Sequence, residues 1–181
     1  MSLLNKYLEN CMVRNCCVDI FREEICDETI LGIPCFIGKN IIGLAKFSDS
    51  GLFDGYCFIE KNDISRVRHG GNEQDAILAL IERKKQLSFV KKNFHFQSMR
   101  DVIEQFKTEI ITIFIEKIDS NICFLGTVQE YDSENILLHA LGTFSSLDSS
   151  ELILRWEDIT RIEVESLYLQ DIKAILSRTK E

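Results

Sequence analysis

"ENILLHALGTFSSLDSSELILRWEDITRIEV", residues 134–164, repeats without a gap the pattern of "KNIIGLAKFSDSGLFDGYCFIEKNDISRVRH", residues 39–69. The matching residues stand 95 positions apart (158 − 63 = 95), as in Asn40 and Asn135, Ile41 and Ile136, Asp63 and Asp158, Ile64 and Ile159, and Arg66 and Arg161. A pattern that extends through the loops as well as the apolar segments indicates an internal duplication. We therefore expect two units of like topology.

Each unit contains five predicted strands between two predicted helices. Segments rich in β-branched and aromatic residues predict strands at residues 16–22, 29–37, 40–47, 55–60 and 63–68, and at 109–116, 122–131, 135–141, 151–155 and 159–164. Apolar residues at helical spacing predict a helix before the first strand and after the last strand of each unit. Pro34 lacks an amide donor, which predicts a bulge or an edge in the second strand.

The expected architecture is mainly β with flanking α-helices, in two tandem five-stranded barrels. Short, bent strands close readily into a small barrel, and closure removes exposed strand edges. The predicted domains are residues 1–92 and 93–181. Residues 91–97 form the only candidate linker, and this segment is too short and, with Phe94 and Phe96, too aromatic to be a free tether. The two units are therefore expected to touch.

Composition restricts the class of protein. A chain of 181 residues with 45% hydrophobic content can bury a sizeable core. No apolar run approaches the roughly 18 residues of a membrane span, and the first residues lack signal-peptide features, so we expect a cytoplasmic protein. The seven cysteines are odd in number and contain no C-x-x-C pair. They are predicted to be reduced core thiols, with no metal site and no cofactor.

The negative charge is concentrated in the second half. Residues 1–95 carry 13 basic and 13 acidic side chains, whereas residues 96–181 carry 8 and 16. Proteins that coat nucleic acid generally present a basic face, which the second half lacks. Lys84 and Lys85 belong to the one basic cluster, which is interpreted as a solvated helix end or, alternatively, as an RNA contact.

"FLGTVQEYDSENILLHAL", residues 124–141, and "LILRWEDITRIEV", residues 152–164, carry a family resemblance. A strand with Gly126, Asp132 six positions later, an aliphatic strand and a closing Ile-Thr-x-Ile strand together resemble the Sm-like family, especially its bacterial RNA-chaperone branch. The first unit resembles a more diverged version, with Gly32 and the segments 40–42 and 62–67. The resemblance implies Sm-like/SH3-like barrels, rings built by pairing edge strands, and single-stranded RNA bound around the pore.

The positions that would contact RNA depart from the Sm-like pattern. Glu134 stands where the bacterial branch has an aromatic residue, and Trp156-Glu157 and Lys61-Asn62 stand where it has Lys-His. Because carboxylates repel phosphates, we expect weak RNA affinity. The candidate RNA or partner contacts are Asn40, Lys61, Asn62, Lys84, Lys85, Asp132, Asn135 and Trp156.

Several of these residues have two interpretations. Asn40 and Asn135 either imitate the base-reading asparagine of archaeal and eukaryotic relatives or are ordinary turn residues. Trp156 belongs to the core or, if it is exposed, anchors a partner. The remaining repeat-equivalent positions are predicted to lie on the closing strands, with acid and arginine on opposite faces, and to form structural ion pairs or loop hydrogen bonds. These positions are Asp63, Asp158, Arg66 and Arg161.

Three function classes follow from these observations. An enzyme would need a nucleophile with a base, paired carboxylates or a metal set, and neither unit shows one. The sequence instead predicts a non-catalytic tandem Sm-like module for protein interaction or assembly. The alternative is an Sm-like RNA-binding protein with weak affinity for single-stranded RNA through its first half. The expected partner is a protein, with no membrane contact, and the expected state is a monomer or small oligomer.

Overall fold

The computed structural model describes residues 2–90, 93–142 and 148–178. These residues form ten β-strands and four α-helices. The elements are α1 (Leu3–Val13), β1 (Val18–Arg22), β2 (Cys26–Ile37), β3 (Ile41–Phe47), β4 (Phe53–Glu60), β5 (Arg66–His69), α2 (Asn72–Arg83), α3 (Met99–Phe106), β6 (Ile111–Phe114), β7 (Cys123–Tyr131), β8 (Asn135–Leu141), β9 (Ser149–Arg155), β10 (Arg161–Val164) and α4 (Leu167–Arg178). Short 3-10 helices occupy Lys61–Asp63, Gln86–Phe89 and Trp156–Asp158.

All ten strands belong to one antiparallel sheet with the order β5-β1-β2-β3-β4-β10-β6-β7-β8-β9. The prediction of a mainly β fold with flanking helices is confirmed. The structure joins the two predicted five-stranded units in one sheet rather than showing two distinct barrels, because β4 of the first half pairs directly with β10 of the second. Phe58 lies opposite Ile162 at this junction. Each half still arranges its five strands in the same relative order.

Strand pairing in the sheet is irregular at several positions. The register between β2 and β3 shifts between Pro34 and Phe36, which confirms the bulge predicted from the lone proline. Gly55 has a φ of +83°, and a Cβ there would lie 2.3 Å from the carbonyl oxygen of Val164. Glycine is therefore required where β4 approaches β10. Bulges and this close approach let the ten strands curl rather than lie flat.

One hydrophobic cluster extends through both halves. Phe58 of β4 packs against Phe94 and Phe96 of the connecting segment, with ring centroids 5.4 and 5.3 Å away, and Phe106 of α3 lies 6.2 Å from Phe58. Phe94 and Phe96 are both buried. The part of the predicted linker that the structure describes is thus core, as its aromatic composition indicated, whereas Lys91 and Lys92 lie outside the described residues.

A second cluster lies under α1. Leu8 and Cys11 of this helix pack with apolar residues of β1 to β4. All seven cysteines are free thiols, and every one except Cys123 is buried. Burial raises the pKa of the Cys35 and Cys57 thiols to about 12, so these groups stay protonated and behave as small apolar side chains.

We predict that Phe96→Ala will destabilise the whole chain, because the ring packs against Phe36 and Phe58 within a hydrophobic cluster that contains residues of both halves. The expected loss is about 3–5 kcal/mol in the free energy of unfolding, measured by urea denaturation. Phe89→Ala is the control, since this ring is 45% exposed, and it should cost less. For Phe96→Ala we expect a single unfolding transition whose midpoint is shifted to lower urea concentration. Two separate transitions, of which only one moves, would contradict a shared core.

Candidate functional site

A fully buried ion pair joins the two halves. Arg22, at the end of β1, donates to both carboxylate oxygens of Glu116 at 2.6 and 2.9 Å, and neither side chain has exposed area. Thr160 donates its hydroxyl to the same carboxylate at 2.7 Å. Burial alone would raise the pKa of Glu116, but the Arg22 hydrogen bonds, the charge of Arg161 and the Thr160 hydrogen bond hold that pKa below its ordinary value. Glu116 is therefore a buried group that stays ionised at neutral pH.

Arg161 of β10 extends this ion pair into a network. Its Nη2 lies 3.1 Å from Glu116 Oε1 and 3.0 Å from Glu28 Oε2, while its guanidinium carbon lies 3.7 Å from the ring centre of Phe114. Arg161 is 3% exposed, so its charge interacts with these groups with little screening by water. The network thus connects β1, β2, β6 and β10.

Glu116 and Arg161 of this network form the floor of a cleft of about 770 Å³, between the β1–β2 turn and the β6–β7 turn. Lys46 closes one side of the floor through a 2.8 Å ion pair with Glu163. The charged lining residues are Lys46, Lys117, Arg161, Glu23, Asp27, Glu28, Glu116, Asp119 and Glu163. Acids therefore outnumber cations in the cleft, although Glu28, Glu116 and Glu163 are each paired with a cation.

Cys26, Glu28 and Glu116 place one possible metal ligand each within 4.8 Å of one another. The carboxylates of both glutamates, however, already accept hydrogen bonds or ion pairs from Arg22 or Arg161. A divalent cation would have to displace these guanidinium groups or lie beside two fixed positive charges. The three residues therefore do not suit a metal ion.

The first-half candidates do not converge on one surface. Lys61 donates from Nζ to Asn5 Oδ1 at 2.7 Å and to the carbonyl oxygen of Gly38, and burial lowers its pKa. Lys84 donates to the carbonyl oxygen of Ser50 at 2.6 Å. Gly38 and Ser50, whose carbonyl oxygens accept these hydrogen bonds, lie before and after the seven-residue strand β3, at its opposite ends. The other candidates in this half are exposed, namely Asn40, Asn62 and Lys85.

The second-half candidates do come together, in a turn beside β9. Asp132 accepts hydrogen bonds at 2.7 Å from the amides of Glu134 and Asn135, and these bonds lower the pKa of Asp132. The indole of Trp156 donates to the carbonyl oxygen of Asp132 at 3.0 Å, and its half-buried ring lies 4.9 Å from the guanidinium of Arg100. Asn135 is therefore part of a structured turn, and Trp156 supports that turn.

The repeat-equivalent charges occupy different environments. Asp63 and Asp158 each end a 3-10 helix, so the prediction that they lie on strands is wrong. Asp158 accepts from Arg155 at 2.9 Å, and burial raises the pKa of Asp63, an effect that Lys117 and Arg22 partly offset. Arg66 forms an exposed ion pair with Glu23 at 2.7 Å, whereas Arg161 is buried. The two arginines differ because β5 is an edge strand and β10 is central.

The outer strand β9 presents an open edge. Within the described residues it pairs with β8 alone, and Ile153 in its middle is 67% exposed. A pocket of about 280 Å³ lies next to Ile153 on this face of the sheet. Its lining residues are Glu130, Tyr131, Asp132, Asn135, Leu137 and Ile153. An exposed apolar strand edge with a neighbouring pocket is a binding feature, because unpaired edges recruit other strands.

Sequence reasoning missed the buried network and the edge pocket. Arg22 and Glu116 each follow a run of mainly apolar residues, in "CVDIFR" and "ITIFIE". At such a position a charged residue normally indicates that a strand ends. Glu163 sits between two apolar residues of the short closing strand. Charges embedded in apolar strands were the available signal, since such groups require partners when they are buried. The identity of those partners depends on tertiary contacts 94 positions apart.

Comparisons with protein-family models, with curated proteins and with solved structures found no match to this chain. The Sm-like resemblance therefore remains a hypothesis based on its short motifs. The described α-helices have at most 12 residues, and none of them is long and apolar enough to cross a membrane.

We predict that Glu116→Gln will reduce stability by about 3–5 kcal/mol, because it leaves buried guanidinium groups without their counter-charge. The folded-state pKa of Glu116 is depressed, so its contribution is present above the pKa of an unfolded glutamate, about 4.3, and is lost as pH falls below it. Urea denaturation from pH 7 to pH 3 should therefore show a smaller loss of stability for this variant than for the wild type.

Glu134→Gln serves as the matched control, since Glu134 is an exposed carboxylate in the Asp132 turn. It should preserve the stability and the pH profile of the wild type. If Glu116→Gln also left the stability at pH 7 unchanged, the buried network would not hold the two halves together.

Proposed function

We propose that this chain is a non-catalytic assembly module, which binds a strand of a second copy along the open edge of β9. The exposed β9 edge is the observation that carries the proposal. Two tandem Sm-like units are its hypothesised basis, in line with the repeated motifs and with the same relative strand order in both halves. An edge that pairs with another strand satisfies its backbone groups and covers Ile153.

The pairing of β4 with β10, which we call the inner junction, supports this proposal because it is a strand added to the edge of a fourth strand. The edge of β4, which is the fourth strand of its half as β9 is of the second, is covered by β10 in an antiparallel pairing from Arg161–Ile59 to Val164–Tyr56. The first half therefore satisfies its open edge by strand addition. The second half has the same strand order and an uncovered fourth strand, so it offers the same mode of binding to another chain.

The distribution of polar groups favours binding over catalysis. In the cleft of about 770 Å³, the carboxylates of Glu28 and Glu116 are engaged by guanidinium groups. General acid–base chemistry needs a titratable group with a pKa near neutrality and access to substrate. Glu116 is instead held charged and fully buried. For RNA, Lys61 and Lys84 contact opposite ends of β3, so within the described residues these two lysines do not form one basic groove of the kind that single-strand binding uses.

We predict that the wild-type mass, measured by light scattering after size-exclusion chromatography, will rise above that of one chain as concentration increases. Ile153→Lys should shift the mass to one chain, because an added ammonium group on an edge strand disfavours pairing with another strand. Val13→Lys is the matched control: Val13 is 75% exposed at the end of α1, and this variant should assemble as the wild type does.

A wild-type mass of one chain at concentrations up to about 1 mM, at which even a contact of about 4 kcal/mol would give visible assembly, would overturn the assembly proposal. So would equal assembly by the wild type and the Ile153→Lys variant, since the contact would then lie away from β9.

A further inference from the structure

The two halves build the same turn after their fourth strand, but with different charges. Arg155 is the last residue of β9, and Asp158 is the last residue of the 3-10 helix that follows. Glu60 is the last residue of β4, and Asp63 is the last residue of the 3-10 helix that follows there. The offset of the repeat joins both pairs of positions (155 − 60 = 95 and 158 − 63 = 95). An arginine of the second half is thus replaced by a glutamate in the first.

In the second half, opposite charges close this turn. Arg155 Nε lies 2.9 Å from Asp158 Oδ2, and Arg155 Nη2 lies 3.2 Å from Asp158 Oδ1. The remaining nitrogen, Nη1, lies 2.8 Å from a carboxylate oxygen of Glu157. Because arginine is not deprotonated in proteins, the cation of this turn is present at every pH.

In the first half, both corresponding positions are acidic. Glu60 and Asp63 are half-buried, and the Oδ2 atom of Asp63 is buried without a hydrogen-bond partner. Neither carboxylate has an ion pair within the described residues. Two carboxylates that are close together and partly withdrawn from water oppose each other's ionisation. The first half therefore lacks the cation that neutralises this turn in the second half.

The surrounding charges compensate for the acid pair only in part. Burial raises the pKa of Asp63, the positive charges of Lys117 and Arg22 lower it, and the charge of Glu116 raises it further. Burial and the charge of Asp63 raise the pKa of Glu60, whereas Lys117 lowers it. In both groups the net effect is a raised pKa, so burial and like charge outweigh the nearby cations.

The nearby cations have other partners or are exposed. Arg22 is held by two hydrogen bonds to Glu116 at 2.6 and 2.9 Å. Lys61, in the 3-10 helix itself, donates from Nζ to Asn5 Oδ1 at 2.7 Å. Lys117 is exposed, so water and salt screen its charge. Within the described residues, none of these three cations is placed on the acid pair as Arg155 is placed on its partners.

The acid pair lies next to the inner junction. The pairing of β4 with β10 includes Ile59 and Arg161, and Glu60 follows Ile59 directly. Lys117, whose charge acts on both acids, belongs to the second half. A change in the charge of the pair therefore acts on the contact between the two halves.

We infer that Glu60 and Asp63 form a proton-sensitive acid pair: acidification delivers a proton from water to the pair and strengthens the inner junction, where the second half has an ion pair instead. The proton neutralises one of two like charges, which removes their repulsion and the cost of burying that charge. The pair lies within one chain, so the inference does not depend on assembly at β9.

The raised pKa values of the pair fix the direction of the effect. Ordinary values are about 3.9 for aspartate and 4.3 for glutamate, so as pH falls the folded chain takes up a proton before the unfolded chain does. The pair therefore lowers stability above its folded-state pKa values, and this loss disappears as pH falls to the ordinary values. Glu116 acts in the opposite direction, because its contribution is lost on acidification.

The first test compares Asp63→Asn with Asp158→Asn by urea denaturation at pH 7 and at pH 4. Asp63→Asn should raise the midpoint at pH 7 by about 0.2–0.5 M urea, because it removes a like charge. The gain should shrink at pH 4. Asp158→Asn removes the same charge from the equivalent turn of a chain whose net charge is −8, and it should not raise the midpoint. Equal gains in both variants would show only a general effect of net charge and would overturn the inference.

The second test exchanges the charges of the two turns. Glu60→Arg copies the second-half turn, so it should raise the urea midpoint at pH 7 and lose most of that gain at pH 4. Arg155→Glu copies the first-half turn, so it should lower the midpoint at pH 7 and recover part of the loss at pH 4. A Glu60→Arg variant that is no more stable than the wild type at pH 7 would contradict an unneutralised acid pair.

Carbon-13 NMR of the side-chain carboxyl groups follows the protons directly. In the folded wild type, Glu60 and Asp63 should titrate at higher pH than they do in the urea-unfolded chain, and Asp63→Asn should move the titration of Glu60 to lower pH. Circular dichroism at both pH values checks that each variant is folded. Ordinary titration of both acids, or a Glu60 titration that Asp63→Asn leaves unchanged, would overturn the inference.

Discussion

Glu116 is a carboxylate without exposed area, and the structure depends on how its charge is satisfied. Burying such a group alone would cost several kcal/mol, and its partners must come from elsewhere in the chain. Arg22 comes from β1 and Arg161 from β10, so the ends of the two halves must meet for the charge to be neutralised. In the sheet, β1 and β6 are separated by four strands. The 2.6 Å contact between Arg22 and Glu116 therefore requires the sheet to curl.

The same junction explains the distribution of surfaces. Once β10 covers β4, the inner edges of both halves are paired, and the shared aromatic core around Phe58 forms beneath them. Within the described residues, the strands of the sheet that keep one unpaired edge are then β5 and β9. The buried charges of the network are paired with one another, whereas the outer backbone groups of β5 and β9 have no strand partner within the described residues. Binding is expected at the edges because the unsatisfied groups are there.

The local structure and the contact between the halves were largely predictable from the sequence, whereas the residues that join the halves were not. Asn135–Leu141 was predicted to the residue because its aliphatic run is bounded by turn residues, and the apolar stripe that includes Leu8 and Cys11 indicated α1. Asp63 was misplaced because a one-turn 3-10 helix has no distinct sequence pattern. The β4–β10 pairing, the Arg22–Glu116 pair and the β9 pocket depend on contacts far apart in sequence, which periodicity does not encode.

Hydrogen exchange measured by mass spectrometry tests most directly whether the buried Glu116 network makes one cooperative unit of the two halves. The amides of β4 and β10 should exchange at the slowest rate in the chain, together with those of β3 and β8, because they open only on global unfolding. In the Glu116→Gln variant, amide exchange in β4 and β10 should become faster by the same factor as exchange in β3 and β8. Fast exchange at β4 and β10 in the wild type, with slow exchange retained separately in β3 and β8, would contradict this and show two independent units.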